Sequence, residues 1–386
     1  MLKIMISSFK NIILLLLFVA IPFSGIAQKK TRFYHLIVGT YTKTQDKGLF
    51  VYKFDSKKGT LTYESSSEGI KNPSYLAISD DGTKVYSVNE SGTDRKGGVS
   101  AFNFNQKTGK LNFINEQDTK GTGPCYISIA NDNKYIFTAN YAGGNVSALP
   151  LNNDGSIGKL TQLVQHVGSS VDKSRQKEPH AHSAIFSPAG DILYSADLGT
   201  DKLYAYQYNP NNAQPLSEAT QAFTKIEPGY GPRHFAFNKQ ANRVYVIAEM
   251  KAMVSVFSYQ DKALKHLQDI SMNTADFKGT NGAADIHLSN DGKFLYATNR
   301  GSVNEIVIFK VDKSTGELER IGAESSRGKT PRNFMITAND RFLLVANQNS
   351  DDVYVFKRNK KTGLLNYNNQ KITVGSPVCL KMTPAK

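Results

Sequence analysis

The chain has 386 residues, 40% of them hydrophobic, with 30 glycines, no tryptophan and a formal net charge of +14. The missing tryptophan argues against repeat families that place one in each unit. The positive charge is spread out, with only short runs such as Lys357–Lys361, and no nucleic-acid-binding module is recognisable; the excess reads as solvated surface compatible with a small anionic ligand.

At the N-terminus, Lys3 and Lys10 precede the apolar run Ile12–Ile21, and Gly25-Ile-Ala27 places small residues at the cleavage positions. Residues 1–27 read as a signal peptide and 28–386 as one mature domain, periplasmic or secreted. The apolar run is short for a membrane span, no other stretch approaches one, and no cysteine follows the cleavage point to carry a lipid. Without Lys3 and Lys10 the formal charge of +14 becomes +12.

Three short alternating stretches follow: His35–Gly39, Gly48–Phe54 and Thr60–Glu64. A longer frame then begins to recur. Pro73–Tyr86 (PSYLAISDDGTKVY) and Pro232–Tyr245 (PRHFAFNKQANRVY) share an apolar run, a turn and an aromatic-bearing strand. The frame starts at 73, 124, 181, 232, 283 and 331, in steps of 51, 57, 51, 51 and 48. Each unit continues with an alternating third strand, such as Glu305–Lys310 or Asp352–Phe356, then a turn ending in Gly109, Gly155, Gly316 or Gly363, then a short fourth strand. A period of this length with four strands per unit predicts an all-β propeller. A seventh first strand begins at Pro377, but the chain stops at Lys386 with three strands missing. The three N-terminal stretches supply them, so the last blade of seven is closed by both ends of the chain. Such closure pairs the edges that an open last sheet would leave exposed. Cys125 and Cys379 fall on first strands of non-neighbouring blades and read as buried free thiols.

Superimposing the units shows what each blade offers to a central channel. One residue after the frame start come Ser74, Cys125, His182, Arg233, Ala284, Arg332 and Val378; the next position holds Tyr75, Tyr126, Ser183, His234, Asp285, Asn333 and Cys379. The antiparallel second strands return to the same rim with Asn89-Glu90, Asn140-Tyr141, Asp197-Leu198, Ala248-Glu249, Asn299-Arg300 and Asn347-Gln348. One mouth is thus expected to collect His180, His182, Arg233, Glu249, Asp285, Arg300 and Arg332. Period-two alternation puts His180 and His182 on one face. They would make a metal pair only with Glu249 or Asp285 as a third ligand, and no metal or other cofactor is called for. Asp197 and Asp285 also read as interblade acceptors, and His234 and His287 as packed or hydrogen-bonded between blades.

Further stretches carry a likeness: Val38–Thr42 (VGTYT), Asn140–Val146 (NYAGGNV), His180–His182, Asp197–Asp201 (DLGTD), Gly229–His234 (GYGPRH), Ala248-Glu249, Ala283–His287 (AADIH) and Asn299-Arg300. In their order and blade placement the chain resembles the seven-bladed lactonase family, which includes propeller-type 6-phosphogluconolactonases and the fungal carboxy-muconate lactonizing enzyme. The resemblance implies hydrolysis of a small anionic or sugar lactone at the channel mouth. It assigns the chemistry to a His, two Arg and a Glu, here His182 (or His180), Arg233, Arg300 and Glu249. His180, Asp285 and Arg332 are expected to bind substrate. Glu249 or His182 would be the general base, and Arg233 and Arg300 would stabilise the oxyanion. The export signal departs from a cytoplasmic sugar-phosphate role and points to an unphosphorylated sugar lactone or aldonolactone as the alternative. Two rivals are a muconate-type cycloisomerase and a non-enzymatic binding platform, the latter predicting exposed aromatics around the mouth. Oligomeric state is not legible in the sequence.

Overall fold

The computed structural model describes residues 31–42, 47–90 and 96–386. The expected signal peptide, residues 1–27, lies outside them. The described residues form seven four-stranded antiparallel sheets and no helix. Six sheets are continuous in sequence; the innermost strands of blades one to six are Leu76–Ile78, Pro124–Ile129, Ala181–Phe186, Pro232–Phe237, Ala283–Leu288 and Pro331–Ile336. The seventh blade pairs the C-terminal strand Pro377–Pro384 with Phe33–Thr40, followed outward by Lys47–Asp55 and Thr60–Glu68. Leu36 lies opposite Met382 and Val38 opposite Leu380. Each innermost strand touches that of the next blade, and the seventh touches the first, so the ring closes as the repeat count requires.

The core is distributed between blades. Tyr245, Ile247, Val254 and Val256 of blade four pack on Ile286, Leu295, Val307 and Phe309 of blade five, all buried. The recurrent aromatic of the second strand and the glycine turn form one device. The hydroxyls of Tyr86, Tyr245 and Tyr296 donate to the carbonyls of Gly155, Gly316 and Gly363 in the next blade's turn, at 3.1, 2.9 and 2.6 Å. Gly363 has φ +77°, and a Cβ there would lie 2.4 Å from Phe294, so this turn admits glycine alone.

The innermost strands are irregular where they begin. In blades two to six the pairing register skips between Pro124 and Tyr126, Ala181 and Ser183, Pro232 and Phe235, Ala283 and Ile286, and Pro331 and Asn333. A bulge re-aims the side chains it carries. The bulged residues include Cys125, His182, Arg233, His234, Asp285 and Arg332.

Candidate active site

Glu249 follows the second strand of blade four (Arg243–Ala248) and is buried at the channel mouth. A lone carboxylate there would be costly to desolvate, and three guanidinium groups meet it. Arg175 Nη2 lies 2.9 Å from Oε1; Arg233 Nε and Arg300 Nη2 each lie 3.0 Å from Oε2. Burial alone would raise the Glu249 pKa, but Arg300, Arg233 and Arg175 outweigh it and hold the group at about 2. Glu249 is therefore ionised and weakly basic at any working pH.

The arginines are themselves fixed. Arg233 Nη1 donates to the carbonyl of Ala284 in the next blade and lies 3.4 Å from His234 Nε2. Burial, with Arg300 and Arg332 nearby, lowers the Arg233 pKa to about 10. Arg300 Nε donates to Gly282 O at 2.7 Å and its Nη2 to Ala283 O at 3.2 Å. Arg332 stands over the ring of Tyr41, 5.4 Å from its centroid. Burial would lower its pKa, yet Tyr41 and Glu90 hold it above the ordinary guanidinium value. Glu90 in turn accepts from the hydroxyls of Tyr41 at 3.0 Å and Ser74 at 2.5 Å.

His182 lies in the same wall. Its Nδ1 is 3.6 Å from Cys125 Sγ, and its ring packs edge-on against Tyr141 and His234. Burial and the facing Arg233 hold it well below the ordinary histidine pKa, so the imidazole is neutral. His180 stacks on Tyr141 at 4.6 Å and contacts the Tyr141 carbonyl through Nδ1 at 3.0 Å. Both histidines reach Tyr141, but not through strand alternation, since the strand begins at Ala181 and bulges there. Asp197 holds this segment by accepting from His180 N and Thr200 N, each at 3.0 Å, and pairing with His166 Nδ1 at 2.6 Å.

The structure brings His182, Arg233, Glu249 and Arg300 to one mouth, with His180 and Arg332 on its walls. Asp285 is placed differently. Its oxygens face His234 Nδ1 at 2.8 Å, His287 Nε2 at 3.0 Å, Asn333 Nδ2 at 2.5 Å and Phe334 N at 3.1 Å. These contacts tie blades four, five and six together through the Asp285 carboxylate. Its interblade reading, and those of His234 and His287, agree with this geometry. Among the described residues, no group of three or more His, Cys, Asp and Glu side chains is placed to hold a metal ion, so His180 and His182 find no third ligand in Glu249 or Asp285. Cys125 and Cys379 are both free and buried. Among the described residues, three of the exposed aromatics, Tyr63, Phe113 and Phe223, lie on outermost strands, and Phe33 begins the second strand of blade seven.

Arg175 was not anticipated. It stands outside the repeat frame, on the connection between Gln162–Gln165 of blade two and Ala181–Phe186 of blade three. The one available signal was the step of 57 between frame starts 124 and 181, against 51 for most others. Gln176 anchors the connection, donating through Nε2 to Leu198 O at 2.8 Å and Asp201 Oδ2 at 2.7 Å. Asp201 also accepts from Gly229 N and Gly231 N, each at 2.7 Å, in the turn that leads into Arg233. Both glycines have positive φ, +85° and +68°, which that turn needs.

A family model described as lactonase, 7-bladed β-propeller, matches residues 35–382. A 6-phosphogluconolactonase of Formosa agariphila is 36% identical over 349 residues, covering 90% of this chain and 99% of that protein. One from Bacillus subtilis is 33% identical over 346 residues, covering 89% and 97%. The structure of the periplasmic gluconolactonase of Pseudomonas aeruginosa superimposes with a TM-score of 0.88 at 37% identity, covering 92% of this chain and 100% of that one.

Proposed function

Because the chain belongs to the family of seven-bladed β-propeller lactonases, we propose that it hydrolyses a sugar lactone at the mouth ringed by His182, Arg233, Glu249 and Arg300. The observation that carries this reading is the convergence of three guanidiniums on one buried carboxylate, with the neutral imidazole of His182 beside one of them, Arg233.

Ring opening needs a nucleophilic water and a home for the negative charge that forms on the carbonyl oxygen. Glu249, held at about 2 by its arginines, is too weak a base to activate water near neutrality. His182, neutral and beside Arg233, is the remaining candidate base and is the one assigned here. In this scheme water attacks the lactone carbonyl carbon while its proton passes to His182. The oxyanion is met by Arg233 and Arg300, whose positions are set beforehand by backbone carbonyls and Glu249. The intermediate collapses by breaking the ring C–O bond, and the departing alkoxide takes the proton from His182. The product is the open-chain hydroxy acid, which releases one proton on ionising. Glu249 keeps like-charged arginines together, and His180 and Arg332 line the entry.

The N-terminal signal pattern, together with the periplasmic Pseudomonas aeruginosa neighbour, supports an exported enzyme. The test uses purified residues 28–386 with glucono-δ-lactone and its 6-phosphate in a pH-stat. The wild-type protein should accelerate acid release well beyond the spontaneous rate. Arg233→Ala should lose about 10²–10³ in kcat while keeping a wild-type circular dichroism spectrum. A wild-type protein inert toward both lactones overturns the reading, and a fully active Arg233→Ala removes that residue from the mechanism.

A further inference from the structure

We infer that Arg175 is the residue by which this site favours lactones carrying an anionic substituent, a carboxylate or a phosphate monoester, exchanging its bond to Glu249 for one to the substrate. The inference rests on the lactonase reading above and adds to it the selecting residue and the charge it selects.

The three cations on Glu249 are not equivalent. The side chains of Arg233 and Arg300 are 1% and 15% exposed and are tied to backbone carbonyls, whereas that of Arg175 is 45% exposed. Among the described residues, the other hydrogen-bond partner of Arg175 Nη2 is the Tyr141 hydroxyl, at 3.2 Å. Arg175 is therefore the one guanidinium that can leave Glu249 without abandoning the carboxylate, because two others remain on it. The pair is part-buried, with Arg175 as its exposed partner, so an incoming anion can reach the guanidinium and compete for it. The guanidinium fork can then grip carboxylate or phosphate through two parallel N–H bonds.

Charge at the mouth points the same way. Among the described residues, Arg175, Arg233, Arg300 and Arg332 face Glu249 and Glu90, an excess of two positive charges. An uncharged lactone would leave that excess unanswered.

The backbone that carries Arg175 is firm even though its side chain is exposed. Gln176 is fully buried and bonded to Leu198 and Asp201, and Asp201 also holds the turn before Arg233. The cation thus swings from a fixed base that is in register with the catalytic wall.

The test compares wild type, Arg175→Gln and Arg175→Lys on three lactones: glucono-δ-lactone without charge, glucaro-1,4-lactone with a carboxylate, and 6-phosphogluconolactone. For Arg175→Gln, KM on an anionic lactone should rise by about tenfold more than on the uncharged one, with kcat little affected on the anionic lactone. Arg175→Lys should recover part of the loss, keeping the charge but not the fork. Loss confined to one anionic lactone supports the inference and names the source of the anion. Equal loss on all three, or none, overturns it while leaving the lactonase reading standing. Wild-type protein inert on all three overturns both.

Discussion

At the scale of single residues, the site is built from groups displaced from their ordinary ionisation. Burial and Arg233 lower His234 from 6.5 to about 4 despite its contact with Asp285, and His182 is likewise lowered well below its ordinary value by burial and Arg233. Glu249 is held at about 2 against an ordinary 4.5 by its three arginines. All three groups bind protons more readily in the unfolded chain than in the folded one, so the folded state loses ground as pH falls. His234 and His182 begin to cost stability as pH drops below 6.5, and Glu249 adds to the loss below 4.5. For His234 alone the contribution at full effect is about 3 kcal/mol. The expected outcome is a melting temperature that declines from pH 6.5 toward 4 and falls again below it, with a shallower first decline in His234→Gln. A flat stability profile across that range would contradict these assignments. Catalysis has a matching signature. If neutral His182 is the base, kcat should hold below pH 6.5, where an ordinary histidine would already have protonated.

At the scale of elements, the informative features are those that break the repeat. Alternation along a regular strand would send adjacent residues to opposite faces, yet Arg233 and His234 both serve the channel because the strand bulges between Pro232 and Phe235. The connection carrying Arg175 is held through Gln176 by the Leu198 carbonyl and by the carboxylate of Asp201, which also orders the Gly229–Gly231 turn before Arg233. Asp201→Asn would keep the shape but set an amide NH₂ against backbone N–H donors. It should cost about 1–3 kcal/mol in denaturant unfolding and lower lactonase activity, since two arginines lose their support at once. Unchanged stability with unchanged rate would show that the clamp is dispensable. The extra length of the second-to-third blade step was visible beforehand; that it delivers a cation to Glu249 was not, because no local pattern says where a connection folds back.

At the scale of the whole molecule, the fold depends on joining the two ends of the described chain. Pro377–Pro384 pairs with Phe33–Thr40, and its removal would leave blade seven without an innermost strand and expose the edge of Phe33–Thr40. A chain ending at Ser376 should aggregate or lose its cooperative thermal transition, as checked by solubility and calorimetry. A soluble truncation with a wild-type transition would mean that the ring does not need its clasp. The count of seven blades and the shared last one were legible because turn glycines, strand aromatics and apolar alternation are local and recur at a near-constant step. The rim on which His182, Arg233, Glu249 and Arg300 gather was legible for the same reason, since equal positions in equal blades share a radius. Asp285 and Arg175 mark where that reasoning stops. Whether a carboxylate faces the channel or the neighbouring blade, and whether a connection reaches the mouth, is settled by contacts between blades far apart in sequence. Only the closed ring brings those contacts together.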